Sequence, residues 1–195
     1  MSVPIVTPIY GLGVGECVGS VYKPAEDSYL LQKYVSRLVA WKVLDIGTGG
    51  GIQALTAAQK PEVTHVVAGD INPEAIEAVK KRASEAGVSQ KMTFKVSDLF
   101  EEIEGRFDWI IFNPPYLPSE GSRGDITWDG GKRGAETIER FLFGAKEHLT
   151  AGGSILLIYS SETGITMGGY GYDWEILEEM PLFFERLFCA RLSPS

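Results

Sequence analysis

Apolar residues fall in short runs separated by amphipathic stretches along most of the chain. Five runs, Val43–Ile46, Val66–Gly69, Thr93–Val96, Trp109–Phe112 and Ser154–Tyr159, are almost continuous in β-branched, aliphatic and aromatic residues. That pattern marks strands covered on both faces. Between them the spacing predicts helices over Pro24–Ala40, Ile52–Gln59, Pro73–Ala86 and Ala135–Leu149. Strands alternating with helices predict an α/β fold, a mostly parallel sheet with helices on both faces. Pro24 and Pro73 suit a first helical turn, where a missing N–H is harmless, and Asn72 is a natural N-cap. Gly87 and Gly152 are expected to close the helices that precede them.

After Tyr159 the pattern changes. Ser160–Gly171 is polar and rich in glycine, and Trp174–Leu177 and Phe184–Leu192 read as two strands around Pro181. Strands so close in sequence pair antiparallel, so a C-terminal hairpin completes a seven-stranded sheet. Leu117–Gly134 reads as a long loop rich in glycine and charge, and loops of that length in a compact domain usually serve function.

Composition narrows the classes. With 44% hydrophobic and 23% charged residues in 195, the chain reads as one globular domain with a sizeable core. A net charge of −8 argues against a long nucleic-acid track, because phosphates are held by Lys and Arg. Lys80-Lys81-Arg82 is the main basic cluster and reads as a solvated helix face. Cys17, Cys189, His65 and His148 show no metal-ligand spacing, and the cysteines read as small buried apolar residues. No apolar run reaches the ~20 residues that span a bilayer. The first residues lack a basic and an apolar signal region, so a cytoplasmic setting is the expectation.

Three motifs carry chemistry. Asp45-Ile46-Gly47-Thr48-Gly49-Gly50-Gly51 runs from a strand through a glycine-rich turn into a helix. Ile52 stands where the dinucleotide fingerprint needs its third glycine, and the leading carboxylate suits a cationic ligand better than a pyrophosphate. Asp70, ending strand two, can accept both hydroxyls of a ribose, although an Asp near a helix N-terminus is also favoured by the helix dipole. Asp98-Leu99 follows strand three in the same way, so three carboxylates are expected at the C-terminal edge of the sheet, where open α/β folds bind ligands.

The third motif is Asn113-Pro114-Pro115-Tyr116 after strand four. Pro114 forces Asn113 out of the helical region, and neither proline has an N–H to donate. The Asn113 side-chain oxygen and the carbonyls of Asn113 and Pro114 are then acceptors suited to a planar –NH2 group, with Tyr116 available to stack on it.

Taken together these motifs resemble the class I S-adenosylmethionine-dependent methyltransferases, and Asn-Pro-Pro-Tyr resembles the amino methyltransferases among them. Val21-Tyr22-Lys23-Pro24-Ala25-Glu26-Asp27-Ser28 and Trp128-Asp129-Gly130-Gly131-Lys132-Arg133-Gly134 are similar to segments of the HemK-type release-factor glutamine methyltransferases. The short segment ahead of strand one looks like their archaeal and eukaryotic stand-alone branch. The resemblance implies a Rossmann-like core over 42–195, with residues 1–41 packing over the cofactor site. It places S-adenosyl-L-methionine against Ser28, Asp45, Gly47, Gly49, Gly51, Asp70, Ile71, Asp98, Leu99 and Asn113. It gives Asn113, Pro114 and Tyr116 catalytic roles, and Asn113, Pro114, Pro115 and Tyr116 substrate contacts.

The implied reaction is N5-methylation of the glutamine in the Gly-Gly-Gln motif of a class I peptide release factor. The implied partner is a small zinc-ribbon activator subunit at the strand-three edge near Phe94. Alternatives are an amino methyltransferase of adenine or cytosine in RNA or DNA, a methyltransferase of another side chain such as lysine, and an inactive binding subunit. One departure stands out: the family has a helix between strand five and the hairpin, whereas Glu162–Tyr170 holds three glycines and little helical periodicity.

Overall fold

The computed structural model describes residues 24–115, 135–166 and 168–195. Seven strands, β1 (Trp41–Ile46), β2 (Val63–Asp70), β3 (Met92–Val96), β4 (Phe107–Phe112), β5 (Leu149–Ser160), β6 (Tyr172–Pro181) and β7 (Arg186–Pro194), form one sheet in the order β3-β2-β1-β4-β5-β7-β6. β1 to β5 are parallel, and β7 lies antiparallel between β5 and β6. The expected hairpin is present, but its second strand inserts beside β5 and leaves β6 at the edge.

The continuous apolar runs have a direct cause. Successive strand side chains point to opposite faces, and both faces are covered. Val43, Ile111 and Leu156 pack with helices α1 (Glu26–Leu38), α2 (Ile52–Ala58) and α3 (Pro73–Glu85) in one core. Their neighbours Leu44, Ile110 and Leu157 pack with α4 (Glu136–Ala145) in the other. Among the described residues no helix is long and apolar enough to cross a membrane.

Helix boundaries follow the capping signals in part. Asn72 caps α3, its side chain accepting from the Glu74 N–H, with Pro73 in the first turn. Gly87 follows that helix at φ +70°. Pro24, expected inside α1, instead precedes the N-cap residue Ala25. Gly152, expected to close the fourth helix, lies within β5 at φ +83°. The helix ends at Ala145, a 3-10 turn follows over Lys146–His148, and the register with β4 shifts between Phe107 and Trp109. Thr150–Gly153 therefore bulges out of a strand that has already begun. The described residues of 161–171 contain no helix, as the glycines there imply. Cys189 is fully buried in the core, as expected, while Cys17 lies outside the described residues.

One glycine locks a helix to the turn before it. Gly51 sits at φ +82°, and a Cβ there would meet the two methyl carbons of Val79 at 2.7 and 2.9 Å. Val79 is wholly buried on α3 and β-branched, so it has little room to move. Gly51→Ala combines left-handed strain with overpacking and should cost about 2–5 kcal/mol, measured by urea denaturation. Adding Val79→Ala should recover part of that loss, so the two substitutions are less than additive.

Candidate active site

The site lies at the C-terminal ends of β1, β2 and β4, where the strand order reverses between β1 and β4, the place where open α/β sheets leave a crevice. β1 feeds directly into the glycine-rich turn. Gly47, Gly49 and Gly51 take φ values of 63°, 50° and 82°, which only glycine adopts without strain. The turn is closed by hydrogen bonds from Thr48 N to Gly69 O (3.0 Å) and from Gly51 N to Thr48 O (2.7 Å).

Two carboxylates brace this turn from beneath. Asp45 is 1% exposed; its Oδ2 accepts from Thr48 Oγ1 at 2.7 Å and from Ala54 N at 3.0 Å. Burial pushes its pKa up to about 7, although those two hydrogen bonds oppose the shift, and the nearby Asp70 adds to it. Asp70 Oδ2 accepts from Gly49 N at 2.8 Å and its Oδ1 from Asn72 N at 2.9 Å. Burial raises this pKa too, against the same two backbone donors. Each Asp70 oxygen spends one hydrogen bond on the backbone, and a carboxylate has about four acceptor positions, so capacity for two hydroxyl donors is left.

Asn113 closes the crevice on the β4 side. Its Nδ2 donates to Asp27 Oδ2 at 2.9 Å and lies 3.5 Å from Ser28 Oγ. Asp27 is 4% exposed, and its Oδ1 accepts from Ser28 N. An ionised carboxylate only accepts, so this contact decides which way the amide points. The Asn113 Oδ1 is then left buried with no donor among the described residues. A buried acceptor without a partner is destabilising by about 1–3 kcal/mol, so the atom is held ready for a donor from outside.

A second amide repeats this arrangement. Gln53, in the first turn of α2, donates from Nε2 to Ser28 O at 2.8 Å, and its buried Oε1 also lacks a donor. Both side chains spend their NH2 groups on the first turn of α1 and leave their carbonyl oxygens unpaired. Among the residues expected to meet a ligand, Asp70 is joined to Gly49 and Ser28 to Asn113, while Asp45 holds Thr48 of the same turn. Pro114 is buried and Pro115 half-buried next to them.

Other expected residues stand differently. The Asp98 carboxylate pairs with Arg140 Nη2 of α4 at 2.8 Å, outside this network. Ile71 is exposed just past Asp70, and Leu99 holds φ +50°. Tyr116 and the segment 117–134 lie outside the described residues. Asp27, Thr48 and Gln53 had no assigned role. The signals were a polar residue on the apolar face of a short, alanine-rich helix for Gln53, and for Asp27 a carboxylate beside Ser28 that the helix dipole alone would explain.

Comparison with known proteins agrees with this fold. The family model for the methyltransferase small domain matches residues 20–167. The chain is similar to a candidate protein N5-glutamine methyltransferase of Methanocaldococcus jannaschii, 38% identical over 177 residues, covering 86% of this chain and 88% of the relative. It is 34% identical over 177 residues to the methyltransferase HEMK2 of Mus musculus, covering 83% and 82% of the two chains. Among solved structures its fold is similar to a ribosomal protein L11 methylase from Lactobacillus delbrueckii subsp. bulgaricus, with a TM-score of 0.63, 18% identity, and coverage of 91% and 83%.

The buried Asp45 makes stability depend on pH. Its folded pKa lies above the ordinary 3.8, so between about pH 4 and pH 7 the native chain keeps a proton that the unfolded chain has lost. Stability falls as pH rises through that window and levels off above it. The unfolding free energy of the wild type minus that of Asp45→Asn should decline from pH 4 to 7 in urea titrations. A difference independent of pH would contradict this assignment.

Proposed function

Because the chain belongs to the methyltransferase small domain family, within its HemK-type branch, we propose that it transfers a methyl group from S-adenosyl-L-methionine to a protein glutamine. The acceptor is the side-chain amide nitrogen of the glutamine in the Gly-Gly-Gln motif of a class I peptide release factor, and the setting is the cytoplasm. The observation that carries this reading is the buried, donorless Asn113 Oδ1, fixed by Asp27. A planar amide NH2 supplies the donor that this oxygen lacks.

The residues present fit the cofactor. The turn Gly47–Gly51 offers backbone at close approach, and Asp70 keeps acceptor capacity for a ribose. Ser28 and Asp45 would hold the methionine end, and Ile71, Asp98 and Leu99 would hold the adenine. When bound, the cofactor supplies an electrophilic methyl group on a sulfonium.

An amide nitrogen is a poor nucleophile because its lone pair is delocalised into the carbonyl. The protein's contribution is therefore orientation and charge stabilisation. Asn113 Oδ1 and the Pro114 carbonyl accept the two amide hydrogens and hold the group in one plane. Pro115 shapes that turn, and the role of Tyr116 as a stacking partner rests on the Asn-Pro-Pro-Tyr motif. As positive charge grows on nitrogen these hydrogen bonds strengthen, so they favour the transition state over the ground state. The methylated amide nitrogen is acidic enough to release its proton to water, so no strong base is needed.

A zinc-ribbon activator subunit fits the free edge of β3. Among the described residues that strand pairs only with β2, Val96 is 48% exposed and Phe94 is half-buried. An unpaired edge of this kind accepts an added strand.

The test is a methyl-transfer assay with labelled cofactor and a release factor, with and without that subunit, with RNA and DNA in parallel. Mass spectrometry should place the methyl on the Gly-Gly-Gln glutamine. Asn113→Ala should lower kcat by about 10²–10³, the effect of losing one preorganised polar group, with cofactor affinity changed far less. Asp27→Leu, which frees the Asn113 amide to rotate, should lower kcat in the same direction. Label found only on nucleic acid would overturn the glutamine reading and point to a nucleobase amino group.

A further inference from the structure

The β6–β7 hairpin ends in two aromatic rings that the fold does not use. Phe183 and Phe184 are 91% and 86% exposed, and they pack edge to face on each other at 4.6 Å. Their neighbours Met180 and Leu182 point inward and pack against the core. The inward positions are thus already filled, and the outward pair is not overflow from the core. The tip is also rigid. Leu182 N donates to Glu185 O at 2.8 Å, and two hydrogen bonds between Ser161 and Arg186 tie the tip to the end of β5.

Register puts this tip on the reacting side of the sheet. Phe112, which precedes Asn113, pairs with Leu157 of β5, and Ser160 of the same strand pairs with Leu187 of β7. With strands ~4.8 Å apart and ~3.3 Å of rise per residue, Phe184, three residues beyond Leu187, stands about 20 Å from Asn113. That is too far for a free glutamine and within reach of a folded protein whose loop enters the crevice.

The chemistry around the rings narrows the partner. Close to the rings the hairpin carries three acids, Glu178, Glu179 and Glu185, against two bases, Arg186 of the hairpin and Lys33 of α1, which pairs with Glu178. Arg186 is paired with Glu179 at 3.0 Å, and Glu185 Oε2 is a buried carboxylate oxygen with no donor among the described residues. Glu185 is thus the one acid of the three without a basic partner among the described residues, and a rim with this net negative balance favours Lys and Arg over a phosphate backbone.

We propose that the Phe183–Phe184 tip is the docking element for the protein substrate. It enters an apolar pocket of that protein bordered by basic side chains, and so holds the target loop over Asn113. This inference rests on the glutamine reading above and adds to it a recognition surface outside the crevice.

The test is the double variant Phe183→Ser/Phe184→Ser, compared with the wild type in steady-state methylation of a class I release factor. KM for the release factor should rise by at least about tenfold, comparable to losing one fully buried Phe ring. The rate at saturating substrate should be unchanged, as should S-adenosylhomocysteine affinity by calorimetry and the thermal unfolding midpoint. An unchanged KM, or a variant whose only change is loss of self-association in sedimentation, overturns the proposal. A wild-type chain that binds S-adenosylhomocysteine yet labels no release-factor glutamine overturns the substrate reading itself, and this docking role with it.

Discussion

The hydrogen bond from Asn113 Nδ2 to Asp27 Oδ2 joins two ends of the molecule that no strand pairing connects. It ties the first turn of α1 to the end of β4 and spends the donor side of an amide on a buried carboxylate. Everything on the acceptor side follows from it. If the amide turned over, two oxygens would face each other and the NH2 would occupy the place of the unpaired Oδ1. Asp27 therefore sets the polarity of the crevice, and Gln53 holds the same helical turn from the other side through Ser28 O.

The glycine-rich turn shows a comparable trade of stability for shape. Asp45 and Asp70 lie under it with raised pKa values, a cost that a core built only for stability would avoid. In return their oxygens fix Thr48, Gly49, Asn72 and the start of α2. Backbone groups that would otherwise fray at a left-handed turn are held in one arrangement. Preorganisation of this kind lets a site orient a ligand without rearranging at the moment of reaction.

Much of this was legible in the residues because the fold is so consistent in its burial. Val43–Ile46, Trp109–Phe112 and Ser154–Tyr159 could be read as strands since both of their faces meet helices. Asn72-Pro73 marked a helix start because capping and a missing N–H act locally. The start of β5 was harder. Leu149 begins pairing before a bulge at Thr150–Gly153, so helical spacing ran on past Ala145 and Gly152 looked like a helix end. Asn113 announced itself through the prolines beside it. Asp27 did not, because a carboxylate in a first helical turn has a sufficient local explanation. Its partner lies 86 residues away, a relation that only the tertiary fold creates. Phe184 likewise read as a strand residue, and only the fold shows that Phe183 and Phe184 stand clear of the core at the reacting edge.

A crystal structure of the chain with S-adenosylhomocysteine and a Gly-Gly-Gln peptide would test the central claim most directly. The account predicts that Asn113 keeps its Nδ2 on Asp27 while its Oδ1 accepts a hydrogen bond from the glutamine amide nitrogen. An Asn113 side chain turned away from Asp27, or a glutamine amide bound elsewhere with Oδ1 still unpaired, would contradict it.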